Sequence, residues 1–350
     1  MSLTLYVDGP RWRRHLAHVR GELPGLVPVV KANGYGFGRS LLAAECADLG
    51  VETVAVGEQH EVASIRPAYD RDVLVLAPYF PNAPADVNVR DTDDDRLVRT
   101  VSTADGLRSP ALRGTRVIVE LLSSVRRFGL REAELTGLPE ALRDVRCEGF
   151  ALHLPIDAEP GTRLAEARRA LARIRAAGAV PEALWLSHLS PSELAELSAA
   201  EPDVRMRPRV GTSLWLGDPG AAQARATILA SHAVRRGQRY GYHQRRAVRD
   251  GTLLVVSGGT SQGIALAAPS ASKDLGGRAR AAAIGGLDAA GRALSPFTVD
   301  GRKRWFAETP HMQVSMVWLP KGARVPEVGA EVPVEVRMTT VVFDRVVLTA

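Results

Sequence analysis

The first two thirds of the chain alternate between short apolar runs and amphipathic stretches. The segments between the runs include RSLLAAECADLG and GTRLAEARRALARIRAAG. Short apolar runs bounded by such segments are typical of buried parallel strands, and the stretches between them have helical periodicity. The predicted strands lie near residues 27–30, 53–56, 73–76, 97–101, 117–121, 149–153, 184–188 and 204–210.

Eight strand–helix alternations predict an α/β protein with a parallel β/α barrel of the TIM type. A doubly wound open sheet fits the same alternation, and the pattern alone leaves it open. After about residue 225 helical periodicity fades, and strand-like runs punctuated by glycine and proline replace it. We therefore expect a barrel domain over residues 1–225 and a mostly β domain over residues 226–350. The strands of the second domain are expected near residues 251–257, 311–319, 331–338 and 341–348.

The composition argues against several classes of protein. The net charge is +6 and the isoelectric point about 9.7, but most arginines are interleaved with acidic residues. No basic block is accompanied by a set of aromatic side chains suited to stacking on bases, so we expect no nucleic-acid partner. The densest basic run, RRGQRYGYHQRR, is at most an anion-binding surface. The sequence has no signal pattern, no apolar run of about 18 residues and too few cysteines for a disulfide framework. We expect a cytoplasmic protein with no membrane partner.

One lysine has an unusual setting. Lysine occurs only at positions 31, 273, 303 and 321, while arginine supplies nearly all the positive charge. Lys31 lies in VPVVKANGYGFG, directly after the first predicted strand, where β/α barrels place catalytic side chains. A lysine amine can lose its proton when buried and can form a Schiff base, unlike arginine. The glycine-rich turn that follows would let the backbone approach a cofactor such as pyridoxal phosphate.

The stretch VVKANGYGFG resembles the cofactor-lysine signature of the alanine racemase family, the fold-type III pyridoxal phosphate enzymes. The resemblance implies a barrel that holds pyridoxal 5'-phosphate at its mouth, with Lys31 as its Schiff-base residue and Tyr35 near its phosphate. It also implies a β domain that follows the barrel, an amino acid as substrate or ligand, and a homodimer whose β domains complete each other's sites.

Further cofactor contacts are implied at intervals along the barrel. The stretch RVGTSLWLG is similar to the family segment whose arginine faces the pyridine nitrogen, which assigns that role to Arg209 and phosphate contacts to Gly211 and Thr212. Arg207 is a nearby rival for Arg209. An arginine keeps its proton, so the ring nitrogen would stay unprotonated, which favours simple proton transfer at Cα.

Two more cofactor residues come from SHLSPS and GFALH. In the first, Ser192 matches a phosphate ligand, and it fits equally as the N-cap of the helix that follows. In the second, His153 matches a histidine that packs beneath the cofactor ring, and a core histidine explains it as well.

The substrate side is expected in VIVELLSSVRRFGL, which resembles the strand and loop that carry the family's substrate-side arginine. Arg127 is the match. In many racemases a carboxylated lysine on this strand presents negative charge to that arginine, and Glu120 stands at the corresponding place. We hypothesise that Glu120 pairs with Arg127 to orient it, which makes both candidate catalytic residues beside Lys31.

The second base of the family has no counterpart in the pattern. Racemisation through two bases needs one proton acceptor on each face of the substrate. The family's tyrosine falls on Thr260 in TLLVVSGGTSQGIAL, and a threonine hydroxyl is far too weak an acid to replace it. His311, Ser261 and Gln262 are candidate replacements. The sequence thus predicts an isomerase-like enzyme acting at Cα with racemisation in question, or alternatively a non-catalytic regulator or sensor that binds the cofactor or an amino acid.

Overall fold

The computed structural model describes residues 2–82, 94–266 and 293–349. The chain divides into two compact units, one formed by Arg13–Gly217 and the other by Met1–Trp12 together with Asp218–Ala350. The first strand, β1 (Leu3–Val7), therefore groups with the C-terminal part of the chain rather than with the barrel.

The unit of residues 13–217 is a nearly closed parallel barrel. It contains eight strands in the order β2-β9-β8-β7-β6-β5-β4-β3, and a parallel bridge between Val29 and Ala55 joins its two ends. This arrangement confirms the predicted barrel over the open sheet. The strands are β2 (Val27–Pro28), β3 (Thr53–Val56), β4 (Asp72–Pro78), β5 (Leu97–Val101), β6 (Arg116–Glu120), β7 (Arg146–His153), β8 (Ala183–Ser187) and β9 (Arg205–Val210).

Small and branched side chains, together with one tryptophan, fill the inside of the barrel. Alternate residues of the strands point inward, because successive side chains of a strand face opposite sides. The buried cluster inside the barrel comprises Val27, Val29, Ala55, Leu74, Val98, Ile118, Ala151, Ala183 and Trp185.

In the parts of the barrel that the structure describes, helices follow most of the strands, as the alternation predicted. The longest of those between barrel strands, α6 (Thr162–Ala176), buries Leu164, Ala167 and Leu171 on one face, the spacing of an amphipathic helix. The described helices are α1 (Gly9–Glu22), α2 (Arg39–Asp48), α3 (Val62–Ile65), α4 (Ala104–Leu107), α5 (Leu138–Ala141), α6, α7 (Pro191–Ala200) and α8 (Thr212–Trp215).

The other unit is a mostly antiparallel sheet in the order β14-β15-β16-β13-β10-β1-β18, with β17 paired to β10, and a separate β11-β12 hairpin. Its core includes Leu3, Ile228, Leu254, Phe297 and Val317. Its remaining strands are β10 (Ala222–Val234), β11 (Arg239–Tyr240), β12 (Arg245–Arg246), β13 (Gly251–Ser257), β14 (Leu294–Val299), β15 (Arg302–Phe306), β16 (Val314–Pro320), β17 (Glu331–Pro333) and β18 (Arg345–Leu348). Within the described parts of the chain, no helix has the length and apolar character required to span a bilayer.

Candidate active site

A polar layer lies above the apolar core of the barrel, at the carboxyl ends of the strands. Ile118 and Ala151 belong to that core. Glu120 and His153 follow them by two residues on the same strands, so their side chains face the same way, one layer further along. Lys31 comes just after β2 at the same end. The three predicted residues are therefore brought to the end of the barrel where catalytic groups gather.

Lys31 is set among other charges. Its side chain is partly exposed to solvent. The protein packed around the rest of it still disfavours the charged amine and lowers its pKa, and the cations Arg127 and Arg209 lower that pKa further. Glu61 acts in the opposite direction. Because a lower pKa leaves more of the amine unprotonated at neutral pH, Lys31 is suited to nucleophilic attack and proton transfer.

Glu61 fixes the backbone around the lysine. Its buried carboxylate accepts hydrogen bonds from the N–H of Ala32 at 2.6 Å and of Gly57 at 2.7 Å. A methyl group added to Gly57 would lie 2.9 Å from the Glu61 carboxylate and 3.1 Å from Cβ of Lys31. The loops after β2 and β3 are thereby joined by one carboxylate next to Lys31.

Tyr35 and Gly211 are in close contact. Tyr35 is buried in the turn after Lys31, with a left-handed φ of 53°. A Cβ atom at Gly211 would overlap its hydroxyl oxygen and lie 2.9 Å from its Cζ, so only glycine leaves room for this ring. Burial raises the pKa of Tyr35 to about 12, which keeps the hydroxyl protonated and able to donate.

Arg209 is a buried cation with an unused donor. It lies on β9, and its Nη2 donates to the carbonyl of Leu152 at 2.9 Å. Its Nε has no hydrogen-bond partner among the described residues, although it is fully enclosed. Burial lowers the pKa of Arg209 to about 10, while Glu120 opposes that shift. The guanidinium therefore stays charged at neutral pH and has one N–H left to donate.

Arg207, the rival for this role, serves the opposite end of the barrel. Its Nη1 donates to Glu52 at 2.7 Å and its Nη2 to the hydroxyl of Thr53 at 2.5 Å. Its guanidinium also lies over the ring of Trp185, 4.9 Å from the centroid. Because Thr53 begins β3, Arg207 points to the amino ends of the strands, away from Lys31.

Glu120 and Arg127 interact without a direct ion pair. Glu120 is buried, and no bond or ion pair within 4.0 Å joins the two side chains in the described chain. Burial raises the pKa of Glu120, whereas the charges of Arg209 and then Arg127 lower it. Arg127 itself is exposed and lies 5.4 Å from the Phe128 ring centroid. The carboxylate is thus a counter-charge shared by two arginines rather than a salt-bridge partner of one.

His153 is hydrogen-bonded to a neighbouring strand. Ser187 Oγ accepts the N–H of Leu154 at 3.1 Å and lies at hydrogen-bond distance from His153 Nδ1, also at 3.1 Å. Burial, followed by Arg127 and Arg209, lowers the pKa of His153 to about 3. The imidazole is consequently neutral at neutral pH.

The two other predicted phosphate contacts lie at helix starts. The N-cap of α7 is Ser190, whose hydroxyl accepts from the N–H of Glu193 at 3.2 Å, so the interpretation of Ser192 as the N-cap is wrong. Ser192 is exposed in the first turn, 3.1 Å from the Ser190 hydroxyl. Thr212 is exposed at the start of α8, directly after Gly211. Both hydroxyls follow the carboxyl ends of adjacent strands, β8 and β9.

The model of the N-terminal domain of alanine racemase matches residues 7–219. This chain belongs to the alanine racemase family. A relative described as alanine racemase, from Mycolicibacterium vanbaalenii, is 32% identical over 276 residues, covering 68% of this chain and 66% of that protein. The matched segments cover 48%, 66% and 45% of three such relatives, so the chain spans about half to two thirds of their length.

Solved alanine racemase structures share the fold. The enzyme from Bacillus anthracis with bound L-Ala-P has a TM-score of 0.71 and 17% identity, covering 95% of this chain and 85% of that one. The enzyme from Bartonella henselae with covalently bound pyridoxal phosphate has a TM-score of 0.67 and 16% identity, covering 96% and 90%. These likenesses cover both the barrel and the mostly β second unit, and they show a shared fold.

Thr260, where the family resemblance places the second base, is engaged in a 3₁₀ turn. Its N–H and its hydroxyl both donate to the carbonyl of His311, at 2.9 and 3.4 Å. Two suggested replacements are also engaged. Ser261 Oγ donates to the carbonyl of Met312 at 2.6 Å, and the amide of the buried Gln262 donates to Asp344 at 2.8 Å.

Glu61, Ser187 and His188 were not among the predicted site residues. Glu61 stands three residues after Glu58, a spacing typical of helix starts that could have marked it. Ser187 and His188 lie within the quoted SHLSPS, but nothing local indicates that Ser187 hydrogen-bonds to His153 or that the rings of His188 and His153 pack with their centroids 5.3 Å apart. Those roles depend on contacts between neighbouring strands.

Proposed function

We propose that this chain is a pyridoxal phosphate-dependent, alanine-racemase-like isomerase that removes and returns the Cα proton of an amino acid. The observation that carries the proposal is Lys31: an amine of lowered pKa at the carboxyl ends of the barrel strands, beside two arginines and a neutral histidine. Family membership and the cofactor named for the Bartonella relative support it.

The residues present fit the cofactor. The unsatisfied Nε–H of Arg209 is suited to an uncharged acceptor such as an unprotonated pyridine nitrogen. The absence of a side chain at Gly211 leaves its backbone accessible beside the Tyr35 hydroxyl, the kind of surface that a phosphate group requires. A carboxylate at the position of Arg209 would instead favour a protonated ring.

We assign roles from this chemistry. Tyr35, Ser192, Gly211 and Thr212 would hold the phosphate, with His153 against the ring as a neutral partner. Arg127 would bind the substrate carboxylate, and Glu120 would balance the charge of Arg127 and Arg209.

When bound, pyridoxal phosphate supplies an electron-withdrawing ring that acidifies the Cα proton of an attached amino acid. Lys31 Nζ would hold the cofactor covalently and then accept or return that proton on one face of Cα. Because Arg209 keeps its own proton, it would donate to the ring nitrogen without protonating it, which favours proton transfer over other fates of the substrate. We further propose a cytoplasmic homodimer, on the strength of the family resemblance.

A colour and exchange experiment tests the proposal. The purified protein reconstituted with pyridoxal phosphate is expected to be yellow and to exchange the Cα proton of an amino acid in heavy water. Lys31→Ala should abolish both, whereas the matched control Lys321→Ala, an exposed lysine of the other unit, should change neither. A colourless protein contradicts the proposal. Cofactor uptake without exchange for any amino acid favours the alternative, a non-catalytic sensor, because the Thr260 hydroxyl is a poor proton donor.

A further inference from the structure

The residue after Lys31 has an unusual backbone conformation. Ala32 has a left-handed φ of 51°, a region that glycine enters freely and that costs an alanine steric strain. Such a conformation persists only where neighbouring groups hold it, and it is frequent at functional sites. Since Ala32 directly follows Lys31, whatever holds its backbone also fixes the direction of the chain at the lysine.

One ion pair binds both backbone polar groups of Ala32. Its N–H donates to Oε1 of Glu61 at 2.6 Å, and its carbonyl accepts from Nη1 of Arg39. That Nη1 lies 3.5 Å from Oε1 of Glu61, so the two charged groups also face each other. We call Glu61 and Arg39 the Ala32 clamp. It holds the backbone on both sides of the Ala32 Cα, the atom about which a rotation would relax the strain.

The clamp is anchored in the loop and helix after β3. Oε2 of Glu61 accepts the N–H of Gly57 at 2.7 Å and that of Glu58 at 3.2 Å. Nε of Arg39 donates to the hydroxyl of Ser64 at 2.7 Å, and that hydroxyl donates to the carbonyl of Glu61 at 2.6 Å. Glu61 is only 4% exposed. Because both members of the clamp are bound at more than one atom, neither can easily turn away from Ala32.

The clamp also reaches the side chain of Lys31. A Cβ atom at Gly57 would lie 2.9 Å from Oε2 of Glu61 and 3.1 Å from Cβ of Lys31, so a bare glycine separates the carboxylate from the base of the lysine. Burial, followed by Arg127, lowers the pKa of Lys31, and the charge of Glu61 raises it. Glu61 therefore acts on both the backbone and the charge of the lysine.

We propose that Glu61 and Arg39 are positioning residues for Lys31, which fix the place of its amine by holding the backbone on both sides of Ala32. This inference rests on the proposed function, because it concerns the amine that would hold the cofactor and move the Cα proton. The simpler role of Glu61, in starting the helix after β3, uses Oε2 and the N–H of Glu58. It does not account for the contacts of Oε1 with Ala32 and Arg39.

Two measurements on the cofactor-free protein test the clamp. The amide of Ala32 should exchange with heavy water at least tenfold faster in Glu61→Ala, because its acceptor is removed. In Glu61→Gln, which keeps the shape of the side chain and loses its charge, NMR of ¹³C-labelled lysine should show a lower pKa for Lys31. Glu58→Ala, at an exposed glutamate of the same turn, is the matched control and should change neither. An unchanged exchange rate at Ala32, or an unchanged or higher pKa of Lys31, overturns the proposal.

The rate at which Lys31 captures pyridoxal phosphate reports the position of its amine. Absorbance follows this rate across pH, and its plateau at high pH compares proteins whose amines are all unprotonated. The plateau should fall about tenfold or more in Glu61→Ala and in Arg39→Ala, since a misplacement of about 1 Å costs up to about 10²-fold. Adding Ala32→Gly to Glu61→Ala should restore the rate several-fold, because glycine adopts the left-handed φ without the clamp. Glu58→Ala is again the control.

The outcomes separate the clamp from the proposed function. A wild-type plateau in Glu61→Ala and Arg39→Ala overturns the clamp, and so does a double variant that is no faster than Glu61→Ala. Wild-type protein that captures no pyridoxal phosphate overturns the proposed function, and the two measurements on the cofactor-free protein then decide on the clamp alone.

Discussion

The contact between Gly211 and Tyr35 gives a prediction that can be worked out from the structure. In Gly211→Ala the new methyl carbon would lie 2.9 Å from Cζ of Tyr35 and closer still to the hydroxyl oxygen. Tyr35 is 6% exposed and held in a left-handed turn, so it has little freedom to withdraw. Forcing extra volume into a well-packed site costs about 1–3 kcal/mol. We expect the free energy of unfolding of the cofactor-free protein to fall by that amount in a urea titration.

The same substitution should weaken the cofactor site. If Tyr35 moves by the distance needed to relieve the overlap, its hydroxyl leaves the place assigned to the phosphate, and the Kd for pyridoxal phosphate should rise roughly tenfold, since about 1.4 kcal/mol corresponds to one decade. Absorbance titration measures this. Gly21→Ala is the matched control, because a Cβ there meets nothing within 4 Å, and a helical alanine should be neutral or stabilising.

A double substitution locates the cause. Tyr35→Phe removes the oxygen that lies closest to the new methyl group, so Gly211→Ala should cost less in that background, with a coupling energy of about 1 kcal/mol. If Gly211→Ala is as neutral as Gly21→Ala in both stability and cofactor affinity, the packing argument is refuted.

Three other outcomes are expected. Arg127→Leu should raise the pKa of Lys31, because it removes a neighbouring cation that disfavours the charged amine. NMR of ¹³C-labelled lysine in the cofactor-free protein measures this pKa. An unchanged or lower pKa would contradict the prediction. Burial lowers the pKa of His153 to about 3 in the folded protein, from about 6.5 in the unfolded chain. Between these two pH values the unfolded state binds more protons, so the folded state loses stability as the pH falls. Between pH 6.5 and 5, the free energy of unfolding of His153→Gln should therefore fall by about 1–2 kcal/mol less than that of the wild type, as measured by urea titrations. An equal fall in both proteins would contradict this. Light scattering should give twice the chain mass of 37.6 kDa, and a monomer contradicts the proposed dimer.

Local pattern was sufficient for the barrel because its strands are short apolar runs and its longer intervening helices, above all α6, carry an amphipathic period. The run at residues 97–101 has few turn-forming residues on either side, and it too is a strand, β5. The strand β1 was not predicted, because its pairing is remote: Leu3 lies opposite Ala226, and no local pattern indicates which sheet a five-residue strand joins.

The main residues of the candidate site could be predicted from sequence, but most of their contacts could not. Lys31 could be found from composition and its place after a strand, and family resemblance pointed to Arg209 and His153. The geometry that gives them their chemistry could not be found from sequence, since it depends on contacts across strands: Ser187 hydrogen-bonds to His153, and Glu61 joins two loops around the lysine. The expected pairing of Glu120 with Arg127 is a shared electrostatic interaction, which only distances and burial can distinguish from an ion pair.

The central claim, that Lys31 holds the cofactor, can be tested by one measurement. The protein is reconstituted with pyridoxal phosphate, reduced with borohydride to fix any imine, digested and sequenced by mass spectrometry. Because the chain contains lysine only at positions 31, 273, 303 and 321, each possible attachment gives a distinct peptide. The account predicts stoichiometric modification of Lys31 alone. Modification at another lysine, or no modified peptide from protein saturated with the cofactor, would contradict it.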